Sequence, residues 1–396
     1  MEKNIIYLIN PSEEGILEHA GDRVPIGLIS IAGNLRKHGF KPKVFDLNHQ
    51  GREEVIQQAY RERPRAIGIS AYTSCMYDRA VDLAENLEET EARLIAGGYH
   101  ATFMPETLTD YFDAVVQGEG EDAMIEALDQ DGIIKASRVN LATIPPLDFR
   151  FIDLRKYGIG KKQATMITSR GCPYSCSFCG NMEHQVRYNT LDDIFNQFEQ
   201  IDRAGFESVY FLDDVFTMNM ERMRSVLSGL NMPFRVTTRA NLLNPAKLDE
   251  LADSGCEWLS MGIESGNDDI LLNSRKGMTT LDNYIAVREA YRRGIKTKGF
   301  FIIGLPGETE QTAMQTIDFS KRLRDVGLTT ADFYYLMPFP GTPIFRNPER
   351  FGLKIVDNNW RNYLQAGKNA KPVVETEKLK LSKIEELVTK ARELWK

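Results

Sequence analysis

Between residues 5 and 337 the chain alternates short apolar runs with longer amphipathic stretches, and this alternation constrains the fold more than any other feature. In the first part, strand-like runs at 5–9, 43–46, 66–70, 93–96 and 114–116 are separated by helix-like stretches at 26–38, 53–61, 77–89 and 121–128. Apolar strands alternating with amphipathic helices predict an α/β domain with a doubly wound, Rossmann-like parallel sheet covered on both faces. Ligands of such a sheet lie outside the carboxyl ends of its strands. The loops there carry small residues: Asn10-Pro11-Ser12, Ser70 to Ser74, Gly97-Gly98-Tyr99-His100 and Gly118-Glu119-Gly120-Glu121, so residues 1–140 read as a binding domain. Residues 131–160 lose periodicity and contain Pro145-Pro146, which marks a linker, set at 141–160. Alternation then resumes with six strands at 165–169, 208–212, 234–238, 258–263, 297–303 and 331–337 and five intervening helices. Repeated βα crossovers of this kind predict a partial (β/α)6 barrel over 161–345, with its chemistry at the carboxyl ends of the strands. The remaining 346–396 form a short helical tail. There Ser382 and Glu385 are spaced as a capping box ahead of an apolar stripe of Ile384, Leu387, Val388, Ala391, Leu394 and Trp395.

Directly after the first barrel strand come Cys172, Cys176 and Cys179, with the spacing C-x3-C-x2-C. A cubane iron–sulfur cluster normally takes four thiolates. The other cysteines, Cys75 and Cys256, are isolated in sequence, so three ligands leave one iron open to a small molecule. His184 offers an alternative, a three-cysteine, one-histidine zinc site. Gly171 and Pro173 fix the turn, and Phe178 is placed to shield a cluster from water. Further candidates end the later strands: Asp213-Asp214, Arg239, Glu264-Ser265 and Gly304-Leu305-Pro306-Gly307-Glu308. Neighbouring side chains on a strand point to opposite faces, so one of Asp213 and Asp214 is expected at the barrel mouth. The glycine-rich turn lets backbone approach a flat ring.

The cysteine spacing and the order of these motifs resemble the radical S-adenosylmethionine (radical SAM) enzymes. The resemblance implies that S-adenosylmethionine chelates the open iron of a 4Fe-4S cluster and is cleaved to a 5′-deoxyadenosyl radical. It also implies cofactor contacts. Asp213 or Asp214 would take the amino group and Arg239 the carboxylate; Glu264 and Ser265 would take the ribose and methionyl part, and Gly304, Pro306 and Glu308 the adenine. In the first domain, Val24-Pro25-Ile26-Gly27-Leu28, Gly97 to Thr102 and Val116 to Glu121 resemble the cobalamin-binding subclass, and the likeness covers residues 1 to about 345. Implied cobalamin contacts are Pro25, Gly27, Leu28, Ser70, Tyr72, Thr73, Ser74, Gly97, Gly98, His100, Thr102, Gly118, Glu119 and Glu121, with His100 at the nucleotide tail. Asp46-Leu47-Asn48-His49-Gln50-Gly51 departs from the Asp-x-His-x-x-Gly pattern of many cobalamin proteins, so no histidine ligand on cobalt is expected, and the loop 72–76 would pack on the lower face.

The activity implied is methylation of an unactivated carbon, with methylcobalamin as methyl donor to a substrate radical. Relatives in the subclass also rearrange, cyclise or deoxygenate their substrates. A methylthiotransferase would carry three further amino-terminal cysteines, where this chain has Cys75 alone; a non-catalytic cobalamin sensor is the rival of another class. Five cysteines, three of them clustered, favour a reducing compartment such as the cytoplasm. A net charge of −7 without a basic run gives no footprint for nucleic acid, and no segment reads as a signal or membrane span. The expected partners are a small-molecule or lipid-like substrate and an electron donor such as flavodoxin or ferredoxin, with Tyr334, Tyr335, Phe339 and Arg346 bordering the substrate.

Overall fold

The computed structural model describes residues 4–396 apart from 17–19, 159, 161, 182, 366 and 368. It contains two compact units, Met1–Lys162 with Asp192–Phe206, and Gln163–Leu191 with Glu207–Lys396.

In the first unit the chain runs β1 (Ile5–Asn10), α1 (Ile26–Lys37), β2 (Lys41–Asp46), α2 (Arg52–Glu62), β3 (Ala66–Ser70), α3 (Tyr77–Glu85), β4 (Arg93–Gly97), α4 (Tyr99–Phe103), β5 (Ala114–Gln117), α5 (Gly120–Ala127) and β6 (Gly132–Lys135). The strands form one parallel sheet in the order β2-β1-β3-β4-β5-β6. Period-two alternation along β1 sends Tyr7 and Ile9 into a core with Val55, Ile56 and Leu83 on one face, and Ile6 and Leu8 into a core with Leu28, Leu35 and Met124 on the other. Strand order reverses between β1 and β3, so the carboxyl ends of these two strands bound the crevice where such sheets bind ligands. The sixth strand adds to the sequence reading, which found no periodicity over 131–160 and no strand there. At four residues β6 is too short to show periodicity, and only Ile134 of its two isoleucines is buried. Beyond it, Leu147 N donates to Asp193 Oδ1 at 2.9 Å and Phe149 N to Gln200 Oε1 at 2.8 Å, which pins this stretch to α6 (Leu191–Arg203).

The second unit holds β7 (Gln163–Met166), a short antiparallel ribbon of β8 (Ser169–Arg170) and β9 (Arg187–Tyr188), β10 (Ser208–Phe211), α7 (Met220–Leu227), β11 (Phe234–Thr238), α8 (Pro245–Asp253), β12 (Cys256–Glu264), α9 (Asp268–Asn273), α10 (Thr280–Arg292), β13 (Lys296–Ile303), α11 (Glu310–Asp325) and β14 (Leu328–Tyr335). Its main sheet is parallel and follows chain order, β7-β10-β11-β12-β13-β14, as the six-strand barrel reading expects. One face is apolar and fully buried through Val209, Phe211, Val236, Leu259, Phe301 and Phe333. The other carries half-exposed polar residues such as Arg235, Lys298 and Asp332, with Lys298 Nζ 2.6 Å from Asp332 Oδ2. Tyr334 lies on this second face and donates to Asp332 at 3.0 Å. Tyr335 points the opposite way, buried beneath Arg392, and Phe339 packs with Met337, Tyr363 and Val373, so neither borders the polar face. Arg346 is exposed.

The chain continues through α12 (Pro343–Arg346) and the antiparallel pair β15 (Leu353–Ile355) and β16 (Val374–Thr376) to α13 (Leu381–Glu393). Ile384, Leu387, Val388 and Ala391 are buried as the stripe predicts, while Leu394 is 37% exposed. The expected capping box is not formed. The helix starts at Leu381, two residues before the box requires, and the Glu375 carboxylate of β16 accepts from Leu381 N at 3.4 Å and pairs with Lys380 at 2.8 Å.

Candidate active site

The chain leaves β7 straight into the cysteine loop, and Asp213 at the end of β10 fixes that exit. Its carboxylate accepts from Thr168 N at 3.0 Å, from Thr168 Oγ1 at 2.7 Å and from Ser169 Oγ. Burial raises its pKa and these donors act against the rise. Asp214 turns the other way and accepts from Gly171 N at 3.2 Å. Alternation along the strand thus separates the two carboxylates: Asp213 is committed to the loop's backbone, and Asp214 is the one beside the cysteines. Burial holds the Cys172 thiol above its ordinary value, and the negative charge of Asp214 adds to the rise. Gly171 is at φ +96°, and a Cβ there would collide with Gln185 O, so the turn admits no other residue without moving backbone.

Cys176 is buried, Cys172 half-buried and Cys179 exposed. The loop is closed by Cys172 N donating to Glu183 O at 2.9 Å and by Asn181 Nδ2 donating to Cys172 O at 2.6 Å. Phe178 packs among Ile302, Leu305, Leu336 and Ile344, so it anchors the loop to the ends of β13 and β14. His184 is exposed, and among the described residues no three of His, Cys, Asp and Glu are gathered as one metal ion would require. Each thiolate of a cubane takes its own iron, so its ligands need no such convergence.

Arg239, at the end of β11, is buried, with its guanidinium 3.7 Å from the centre of the Tyr174 ring. It donates from Nη1 to Cys176 Sγ at 3.3 Å, from Nε to Asn241 Oδ1 at 3.3 Å, and from Nη2 to Lys276 O. In this arrangement it grips the cysteine loop itself. Glu264, at the end of β12, is also buried, and its Oε1 pairs with Lys276 Nζ at 2.7 Å. Ser265 follows it in the opposite direction, fully buried and 3.0 Å from Thr316 Oγ1, so it supports α11 and does not reach the mouth.

The segment Ser274-Arg275-Lys276-Gly277 carries no motif, yet it straps these parts together. Ser274 O accepts from Ser177 N at 2.9 Å, Lys276 O from Arg239, and Gly277 O from Asn241 Nδ2 at 3.2 Å. Arg275 and Gly277 are both left-handed, at φ +54° and +67°, which aims successive carbonyls at different partners. Its only trace in the sequence is a glycine after two charged residues.

At the end of β13, Gly304 takes φ +101°, and its N–H donates to Glu308 Oε2. Pro306 is buried, and so is Glu308, whose Oε1 has no partner among the described residues. Burial pushes the Glu308 carboxyl up to about 8, against the backbone donors. A folded-state pKa above the unfolded one means the native state keeps its proton longer, so this group's stabilisation is complete below about pH 4.5 and is lost as pH rises toward 8. The change across that window is on the order of 5 kcal/mol. Glu308→Gln keeps the acceptor for Gly304 and removes the charge. Its apo chain is expected to gain denaturant resistance over the parent near pH 8 and to match it near pH 5; equal losses at both values would contradict a protonated Glu308.

In the first unit the expected contact residues divide. At the crevice, Gly27 and Gly97 have no atom within 4 Å of where a Cβ would stand; Pro25, Ser70, Tyr72, Thr73 and Gly118 are half-exposed. Tyr72 donates to Glu13 at 2.8 Å. Gly98, at φ +105°, lies against the backbone of Ala71 and Tyr72. The others serve the fold. Leu28 is core, Thr102 Oγ1 donates to Gly98 O and accepts from Gly118 N, Glu119 accepts from Val139 N, and buried Glu121 accepts from Ser30 Oγ at 2.7 Å. His100 corrects the expectation of a nucleotide contact: it is fully buried, with Nδ1 3.1 Å from Ser74 Oγ and Nε2 3.0 Å from Thr107 Oγ1. Burial lowers its pKa to about 4, so it serves as a neutral brace between loops. His49 bonds Gly21 O at 2.8 Å and stacks edge-on with Tyr157.

Residues 166–320 match the radical SAM superfamily and residues 15–128 match the B12 binding domain. The chain belongs to the cobalamin-binding radical SAM enzymes. It is 29% identical to an uncharacterized methyltransferase of Pyrococcus horikoshii, over 98% of this chain and 91% of that protein. It is 30% identical to the bacteriochlorophyllide d C-12(1)-methyltransferase of Chlorobaculum tepidum, over 64% of this chain and 59% of that one. Among solved structures, the radical S-adenosylmethionine methyltransferase TsrM from Kitasatospora setae shares the fold, with TM-score 0.72, 19% identity, and coverage of 89% and 80%.

As a cobalamin-binding radical SAM enzyme the protein uses a 4Fe-4S cluster, S-adenosylmethionine and cobalamin. The residues fit these groups. Three thiols on one loop, with a buried arginine on Cys176 Sγ, suit a cluster with one open iron, and Gly27 in the first turn of α1 and Gly97 at the end of β4, each with open space where a Cβ would stand, leave room for a large planar ligand. Among the described residues no helix is long and apolar enough to cross a membrane.

Proposed function

We propose that this enzyme methylates an unactivated carbon of a small-molecule or lipid-like substrate. The observation that carries this reading is the likeness, over 98% of the chain, to a methyltransferase, in a chain that joins a B12-binding domain to a radical SAM domain. When bound, the cluster with S-adenosylmethionine supplies a hydrogen-abstracting radical and cobalamin supplies a transferable methyl group. The chain's own part is placement. Cys172, Cys176 and Cys179 hold the cluster, Arg239 and Asp214 fix the loop that bears them, and Gly304 to Glu308 form a rigid turn for the adenine. Gly27, Gly97 and Gly118 with Tyr72 and Thr73 form the cobalamin cradle. A chlorophyllide-methylating relative supports a low-molecular-weight substrate. Flavodoxin or ferredoxin is the proposed electron donor.

The test is anaerobic reconstitution with iron, sulfide and hydroxocobalamin, followed by incubation with dithionite or reduced flavodoxin as electron source, S-adenosylmethionine carrying a deuterated methyl group, and an extract of small molecules and lipids. One cluster and one cobalamin per chain, with 5′-deoxyadenosine, S-adenosylhomocysteine and a product bearing the label on carbon, is the expected result. A product formed with deoxyadenosine but no label would replace methylation with rearrangement, cyclisation or deoxygenation.

A further inference from the structure

We propose that Lys276 is a positioning residue that presents Glu264 to S-adenosylmethionine. The proposal rests on the family's use of that cofactor and does not depend on the fate of the methyl group.

Lys276 and Glu264 form an ion pair with side chains only 5% and 9% exposed. Removing two charges from water costs about as much as their attraction returns, so a buried pair is poor evidence of a stabilising role. The surrounding backbone is shaped for it nonetheless. Glu264 is a non-glycine residue at φ +66°, a strained conformation that persists where surrounding structure enforces it. It sits where the β12–β13 register shifts, between Gly262 and Glu264, and such irregularities re-aim a side chain. A Cβ on Gly262 would collide with both Glu264 Oε1 and Lys276 Nζ, so that glycine is the space the pair occupies.

Lys276 also acts through its backbone. Its carbonyl accepts from Arg239, whose other nitrogen reaches Cys176 Sγ, so one residue ties Glu264 to the cysteine loop. Its ammonium lies 5.9 Å from the centre of the Phe178 ring, on the same loop. Glu264 bonds Lys276 through Oε1 alone, and among the described residues Oε2 carries no hydrogen bond. A carboxylate with one oxygen clamped and the other free is a preorganised acceptor for a hydroxyl or ammonium group, and S-adenosylmethionine has both.

The experiment measures S-adenosylmethionine affinity by anaerobic equilibrium dialysis on the cluster-loaded protein, with iron per chain and apo melting temperature recorded in parallel. Lys276→Met is expected to raise Kd at least tenfold with iron content unchanged, Lys276→Arg to restore most of the affinity, and Glu264→Gln/Lys276→Met to bind no worse than Glu264→Gln alone. Gly262→Ala, which displaces the pair without touching either charge, is expected to reproduce the weakened binding, and it decides the matter if Lys276→Met does not fold. Unchanged Kd in Lys276→Met or Gly262→Ala with a lowered melting temperature would reduce the pair to a structural role and overturn the proposal; so would equal losses from Lys276→Met in the parent and Glu264→Gln backgrounds. Tight binding by the parent chain with no methylated product would defeat the methylation reading and leave this one standing.

Discussion

Reconstituted anaerobically, a Cys176→Ala chain is expected to hold less than a tenth of the parent's cluster iron and to form no detectable 5′-deoxyadenosine, while taking up cobalamin at the parent's ratio. Three thiolates already leave one iron of a cubane without a protein ligand. Taking away one more leaves two, and the one removed is the buried sulfur that Arg239 grips. The guanidinium would then lose its sulfur partner inside a site where an unmatched charge is costly. Cys75→Ala and Cys256→Ala serve as controls. Among the described residues Cys75 Sγ bonds only Thr73, at 3.8 Å, and Cys256 Sγ only the Trp258 carbonyl, at 3.5 Å, and burial pushes their thiols up to about 11 and about 12. Both are inert fillers and are expected to keep full iron. Iron and sulfide assays with the electron paramagnetic resonance signal of the reduced protein settle the comparison. A cluster that survives Cys176→Ala but is lost with Cys75 would reassign the ligand set.

The six barrel strands were legible because each buries a largely apolar face, a pattern that local sequence carries without help. What escaped depends on partners remote in sequence. The strap 274–277 works through backbone carbonyls, and a carbonyl leaves no mark in the sequence; its left-handed Arg275 reads as an ordinary surface residue. Alternation predicted that one of Asp213 and Asp214 turns away from the mouth. Which one was decided by Thr168 and Ser169, 45 and 44 residues earlier, whose hydroxyls and backbone claim Asp213. His100 looked like a ligand contact because it follows two glycines, but Ser74 and Thr107 from neighbouring loops satisfy both its nitrogens. The capping box failed for the same reason: Glu375, outside the local window, reaches the first N–H of α13 before Ser382 can serve.

Gly98→Ala is expected to lower retained cobalamin at least tenfold after desalting, with cluster iron and S-adenosylmethionine affinity unchanged. At φ +105° and ψ −170° an alanine is strained before any contact is considered. Its Cβ would also stand 2.8 Å from Tyr72 Cα and 2.9 Å from the Ala71 carbonyl carbon and oxygen. These are backbone atoms, so relief requires the loops after β3 and β4 to part. The two loops are laced by Ala71 N donating to Gly97 O at 2.7 Å, by His100 N donating to Ala71 O at 2.9 Å, and by the His100–Ser74 bond. Separating them disturbs Tyr72, Thr73 and Ser74 together, next to the point where strand order reverses. The neighbouring glycine gives the contrast. A Cβ on Gly97 meets nothing within 4 Å, so Gly97→Ala leaves the fold intact and only intrudes on the space a corrin would fill. Its apo melting temperature is expected to match the parent's while cobalamin affinity falls; Gly98→Ala is expected to lose both. Full cobalamin retention by Gly97→Ala would move the ligand away from this crevice, and an unchanged melting temperature in Gly98→Ala would mean that the loops part more easily than their hydrogen bonds imply.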